Sequence, residues 1–132
     1  MSLCDPVISL KSTISQIHLL KKGEVIGYGN SGIMDTDGQI AVIPIGYADG
    51  IDCRLGNGVG RVAINGEFAP IIGRVCMDMT MVDITDIDTA VGDHVTLIGP
   101  EISLAEMSEK LNTIPYEILT RIPQRVRRVY LF

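Results

Sequence analysis

Arg61-Val62-Ala63-Ile64-Asn65-Gly66-Glu67-Phe68-Ala69-Pro70-Ile71-Ile72-Gly73-Arg74-Val75 is the stretch whose reading decides the fold class. Asn-Gly between two strand-like runs is the strongest short-range hairpin signal, because both central residues of the turn need positive φ. The segment predicts two antiparallel strands over 61–64 and 67–75, joined by Asn65-Gly66. The same texture continues outward in both directions. Upstream, residues 13–20 alternate and are rich in branched side chains. Lys21-Lys22-Gly23-Glu24 then reads as a turn, Val25-Ile26-Gly27-Tyr28 as a short strand, and Asp35-Thr36-Asp37-Gly38 as a further turn. Residues 39–45 form another strand, with Pro44 pushing its end toward an edge or bulge. Downstream, 79–85 and 93–98 are two more strands separated by an acidic loop.

One helix interrupts the pattern. Ser103-Leu104-Ala105-Glu106 has the form of a capping box, with the serine oxygen and the glutamate satisfying free N–H groups. Leu104, Met107 and Leu111 then share one helical face. Pro115 ends that pattern, residues 116–122 form another helical turn, and 126–131 read as a final strand. The expected class is mainly β, a Greek-key-type β-barrel or sandwich with one or two short helices near the C-terminus.

The 132 residues suit one domain, and 46% hydrophobic with 20% charged residues is enough for a packed core. A net charge of −5 argues against nucleic acid as a partner. Apolar runs such as Ile40-Ala41-Val42-Ile43-Pro44-Ile45 are too short to span a bilayer, which argues against a membrane partner. No secretory signal opens the chain. Three cysteines, Cys4, Cys53 and Cys76, do not make a disulfide scaffold; they read as small apolar side chains in a reducing cytoplasm.

The usual catalytic sets are nearly absent. His18 and His94 lie on strands and read as structural. No G-x-S-x-G elbow exists, and no metal site is expected, because no two Cys or His residues have ligand spacing. Asp35-Thr36-Asp37-Gly38 starts like a calcium loop, but its glycine comes too early and Gly46 stands where the closing Glu would be. Gly56-Asn57-Gly58-Val59-Gly60 does not lie between a strand and a helix, so it fails as a phosphate loop. Tyrosine placement is what remains. Tyr28 lies between Gly27 and Gly29, and Tyr47 between Gly46 and Ala48, in a chain with two Phe, four Tyr and no Trp. Small neighbours leave a phenol uncovered and let another surface approach. A binding contact and an ordinary turn tyrosine both remain open on this basis.

Pro6-Val7-Ile8-Ser9-Leu10-Lys11-Ser12, Gly23-Glu24 with Gly27-Tyr28-Gly29, Ile43-Pro44-Ile45-Gly46-Tyr47-Ala48-Asp49-Gly50, Ile72-Gly73-Arg74-Val75-Cys76-Met77-Asp78, Tyr116-Glu117 and Arg125-Val126 follow one another in an order and spacing that resemble the C-terminal domain of bacterial alanine racemases. On this resemblance the domain covers 6–132, and residues 1–5 are a linker or cloning remnant. The resemblance implies a pyridoxal-phosphate enzyme that interconverts L- and D-alanine for cell-wall peptidoglycan. Its N-terminal barrel, which carries the cofactor, lies outside this chain. Such enzymes are homodimers in which the C-terminal domain of one subunit caps the barrel of the other. This stretch alone is then expected to be inactive and to bind no cofactor.

The resemblance also implies residue roles. Tyr28 is the catalytic acid/base on the substrate face opposite the cofactor lysine. Met77 meets the substrate carboxylate through its backbone N–H, and Tyr47 gates the substrate channel. Tyr116 binds the cofactor phosphate, and Arg74 and Ile114 line the entrance. The chain departs from the family where Ile51-Asp52-Cys53-Arg54 replaces the common Tyr-Pro-Arg, and where Met79 replaces Gln. Broad-specificity amino-acid racemases share much of this domain, and a non-catalytic β-domain that docks a partner is the competing class.

Overall fold

The computed structural model describes residues 9–21, 23, 25–26, 32–33, 37–123 and 126. Within them the chain is mainly β. The strands are β1 (Leu10–Thr13), β2 (Gln16–Leu20), β3 (Val25–Ile26), β4 (Gly32–Ile33), β5 (Gly38–Ile43), β6 (Arg61–Ile64), β7 (Glu67–Pro70), β8 (Thr80–Asp83) and β9 (His94–Ile98). Helices α1 (Leu104–Leu111) and α2 (Pro115–Thr120) follow, and two short 3-10 turns, Tyr47–Asp49 and Cys53–Leu55, lie between β5 and β6. A four-stranded antiparallel sheet runs β1-β9-β6-β7, a three-stranded one runs β2-β5-β8, and β3 pairs with β4.

The Asn-Gly hairpin forms as read. Asn65 and Gly66 have φ of 51° and 80°, and Ile64 pairs with Glu67 across the turn. The second strand is shorter than 67–75. Pro70 ends it, a bridge from Ile71 to Val82 follows, and the chain then leaves the sheet.

The alternating run over 13–20 is not one strand. Ile14 and Ser15 divide it, and its two parts belong to different sheets. Ile14 donates its N–H to Asp93 O (3.0 Å) and accepts from Gly92 N (2.9 Å), on the side of β9. Ser15 donates to Val42 O (2.9 Å), on β5. The backbone thus changes partners within two residues, and the Ile14 side chain, 1% exposed, fills the corner. Alternation looks the same on either side of such a corner, which is why periodicity joined the two strands. The core lies between the sheets and includes Ile43, Ile64, Val62, Val82, Ile84 and Val95, all fully buried.

Ser103 caps α1 as expected, its Oγ accepting from Glu106 N at 3.0 Å. The carboxylate of Glu106 is used differently from a capping box. It takes a two-point bond from Arg61, at 2.7 and 3.1 Å, and so ties the helix to β6. Arg61 also lies over the Phe68 ring, 3.6 Å from its centre. Asn112, at φ 52°, ends α1 in the left-handed conformation. Pro115 starts α2, where its missing N–H is no loss.

His18 and His94 are exposed on their strands. Cys76 is buried, whereas Cys53 is exposed and so does not serve as the apolar side chain expected of it. Cys4 and most of 126–131 lie outside the described residues. No helix among the described residues is long and apolar enough to cross a membrane.

Because Ile14 closes the corner between the sheets, Ile14→Ala should lower stability by about 2–5 kcal/mol, as removal of a fully buried branched side chain does. Urea unfolding followed by far-ultraviolet circular dichroism measures the change.

Candidate functional site

Strand β5 ends at Pro44, and the following residues are held without a sheet ladder. The Thr80 hydroxyl, wholly buried on β8, donates to the Ile45 carbonyl at 2.6 Å. Gly46 N–H donates to the Asp49 carboxylate at 3.0 Å, which closes the 3-10 turn from its N-terminal side. Gly50, at φ 99°, ends the turn and donates to the Tyr47 carbonyl.

The turn then docks on a second loop. Tyr47 N–H donates to Cys76 O and Ala48 N–H to Met77 O, both at 2.9 Å. Gly46 lies so close to that loop that a Cβ would stand 2.2 Å from Cys76 O and 2.6 Å from Met77 O. Residues 76–79 reverse direction tightly, with Cys76 N–H donating to Met79 O at 3.0 Å. Met77 is at the tip. Among the described residues nothing accepts its N–H. The result is an exposed pair: Tyr47 keeps 49% of its surface and Met77 56%. Burial pushes the pKa of the neighbouring Cys76 thiol up.

A second polar group stands beside this pair. Asp52 caps the 3-10 turn Cys53–Leu55 and is the acceptor for two arginines. Its Oδ1 takes Arg54 N at 2.8 Å and Arg54 Nε at 3.0 Å; its Oδ2 takes Arg54 Nη2 and Arg121 Nη1, both at 2.8 Å. Arg121, at the end of α2, also bonds Glu117, which accepts the Thr113 hydroxyl. The Arg54 guanidinium holds the Asp52 carboxyl below its ordinary range, against the pull of burial, and Arg121 adds to that. Glu117 is lowered in the same way, first by the Thr113 hydroxyl. An open groove of about 440 Å³ runs between Tyr47, Asp52, Cys53 and Arg121.

The expected site residues fall as follows. Tyr47 and Met77 are brought together. Arg74 is exposed on the same loop as Met77, with its Cα packed beside the position of Gly56. Ile114 is 62% exposed and precedes α2, on whose first turn Tyr116 lies. The side chain of Tyr116 and all of Tyr28 lie outside the described residues. No metal cluster of His, Cys, Asp or Glu occurs among the described residues. Sequence reading missed the Asp52–Arg121 link. Its local half was visible, since Asp followed two residues later by Arg is a capping pattern, but 69 residues separate the partners.

The model of the alanine racemase C-terminal domain matches residues 7–130. The chain belongs to that family. An alanine racemase of Clostridium novyi (strain NT) is 46% identical over 132 residues, which is 96% of this chain and 34% of the relative. Alanine racemase 1 of Caldanaerobacter subterraneus subsp. tengcongensis is 42% identical, over 94% of this chain and 34% of its own length. Among solved structures, the alanine racemase from Bartonella henselae with covalently bound pyridoxal phosphate superposes with a TM-score of 0.89 at 39% identity, covering 93% of this chain and 34% of that one. The biosynthetic alanine racemase from Pseudomonas aeruginosa gives 0.91 at 34% identity, covering 97% and 36%. This alanine racemase C-terminal domain thus spans about a third of the length of the relatives it matches.

Two measurements probe the domain's geometry. Gly46→Ala should cost about 1–3 kcal/mol or more, since a methyl group there meets backbone and not a flexible side chain; urea unfolding reads it. The second concerns acid. Asp52 and Glu117 have lowered pKa values in the folded chain, so their contribution is complete above the unfolded values of about 3.9 and 4.3 and is lost as pH falls through the lower folded ones. Thermal melts from about pH 6 to about pH 2 should show the wild type losing its advantage over Asp52→Asn across that fall.

Proposed function

We propose that this domain forms one wall of a cytoplasmic, pyridoxal-phosphate-dependent alanine racemase that interconverts L- and D-alanine for peptidoglycan. The observation that carries the reading is the exposed pair of Tyr47 and Met77, set on two interlocked loops beside an unaccepted Met77 N–H. The rest of the active site belongs to an N-terminal barrel, and in a homodimer this domain faces the barrel of the second subunit. Residues 1–5 act as a linker and 6–132 as the domain.

The described residues fit the edge of a cofactor site and not its container. The enclosed cavity near Ile51 and Leu111 is about 10 Å³, room for about one water. The donors lie on the open face instead. When bound, pyridoxal phosphate supplies the electron sink that makes the α-proton of the amino acid acidic. This chain's residues do the remaining work on their side. The Met77 N–H donates to the substrate carboxylate, where a neutral donor fixes the anion without moving a proton. Tyr47 narrows the approach and excludes water. The Tyr116 hydroxyl holds the cofactor phosphate, and Arg74 and Ile114 shape the entrance.

Tyr28 exchanges the proton on one face of the α-carbon. A free phenol has a pKa of about 10, so it must be activated by groups outside this chain to work near neutrality. The domain alone is therefore inactive.

The test joins residues 7–132 to the remainder of the Clostridium novyi relative in place of its matching third, and follows D-alanine formation. Racemisation is expected from the joined protein and none from the chain alone. In the joined protein Tyr28→Phe should reduce the rate by about 10²–10⁴-fold, more in one direction than in the other, with cofactor absorbance unchanged. Equal rates in wild type and variant would remove Tyr28 from the reaction.

A further inference from the structure

The segment that departs from the family pattern, Ile51-Asp52-Cys53-Arg54, lies where the Tyr47 turn meets helix α2. That meeting is tight. A Cβ on Gly50 would stand 2.8 Å from the Arg121 carbonyl oxygen and 2.9 Å from the Ile122 Cα. The pocket behind it, about 10 Å³, has room for about one water and no more. The turn that presents Tyr47 and the helix that carries Tyr116 therefore touch through backbone.

Helix α2 is short, and its own hold is the packing of Ile118 and Leu119 on the core. It has six residues, fewer than an independent helix needs, and its N-cap Ile114 gives no side-chain bond. Among its described side chains only Ile118 is fully buried. The polar anchor is correspondingly large. The Asp52 side chain is 8% exposed and accepts four donors on its two oxygens. One donor is Arg121 of the α2 C-cap. Arg121 reaches back through Nη2 to Glu117 at 2.9 Å, and Glu117 accepts Thr113 at 2.7 Å, just before the helix. Arg54, bound to the same carboxylate, donates Nη1 to the Leu111 carbonyl at 3.0 Å, at the end of α1. From one carboxylate, bonds run to both ends of α2 and to the close of α1.

We infer that Asp52 is a positioning residue, which through Arg121 and Arg54 fixes helix α2, and Tyr116 on it, relative to the turn that presents Tyr47. The inference rests on the function proposed above for its effect on substrate, and on geometry alone for its effect on the helix. Asp52 acts through the arginines it binds. It sets how the backbone of α2 stands against the Tyr47 turn, and it does so with charge-assisted bonds that a neutral isostere cannot reproduce, because an amide nitrogen would face arginine donors.

The experiment compares Asp52→Asn, Arg121→Met and the double variant. Hydrogen–deuterium exchange on the full 132-residue chain reads the helix directly. Asp52→Asn should speed exchange of the α2 amides about tenfold, with β5 and β9 amides unchanged. Arg121→Met should speed it in the same direction, and the double variant should exceed neither by the full sum of the two, since the Asp52–Arg121 bond is lost in both. In the protein joined to the remainder of the Clostridium novyi relative, Asp52→Asn should raise KM for alanine and the dissociation constant for pyridoxal phosphate more than it lowers kcat, and Asp52→Glu should restore part of the loss. Unchanged α2 exchange in Asp52→Asn overturns the inference. So does loss of protection in β5 and β9 together with α2, which would make Asp52 a support of the whole fold. If the unmutated joined protein does not racemise alanine, the proposed function fails, and the exchange comparison still decides the role of Asp52.

Discussion

The backbone of Gly46 approaches the carbonyls of Cys76 and Met77 so closely that no side chain fits between them. Much of the candidate site depends on that contact. It lets two loops, separated by about thirty residues in sequence, exchange bonds through Tyr47 N–H and Ala48 N–H instead of through side chains. Each such bond contributes only about 0.5–1.5 kcal/mol. Their value lies in direction: the loops cannot slide without breaking both. Tyr47 and Met77 are thereby held side by side while their side chains stay in the open. Around this joint, buried Thr80 and the Asp49 carboxylate satisfy groups that a strand would have paired, which is how β5 can end abruptly at the site.

Sequence reading reached the elements whose causes are local. Asn65-Gly66 makes its own turn and Ser103 caps its own helix. The corner at Ile14 was out of reach, because nothing in an alternating run marks the point where the hydrogen-bonding partner changes from the loop before β9 to β5. The same limit hid the use of Glu106. A glutamate three residues after a capping serine satisfies the local pattern, yet Arg61, 45 residues away, takes its carboxylate in a two-point bond. Tyr47 was legible as an exposed phenol from its small neighbours. What those neighbours also permit, the docking of Gly46 on the Met77 loop, depends on a partner about thirty residues away that local composition does not mark.

Two joints of different chemistry thus position the open face. The Gly46 joint is made mostly of neutral backbone groups at close range, with the Asp49 carboxylate closing one side of its turn. The Asp52 joint is made of ions. Arg54 and Arg121 are half exposed, so each pair taken alone would be screened and weak. The Asp52 carboxylate between them is nearly buried, which gives these bonds more weight than exposed pairs carry, those from Arg54 first. The loop pair carrying Tyr47 and Met77 is consequently the rigid reference of the site, and α2 is the part whose placement depends on conditions. Such a division follows from what each has to hold. Two loops with matching backbone edges can be locked by hydrogen bonds, whereas a six-residue helix that packs Ile118 and Leu119 on the core has no comparable edge and takes part of its placement from charge.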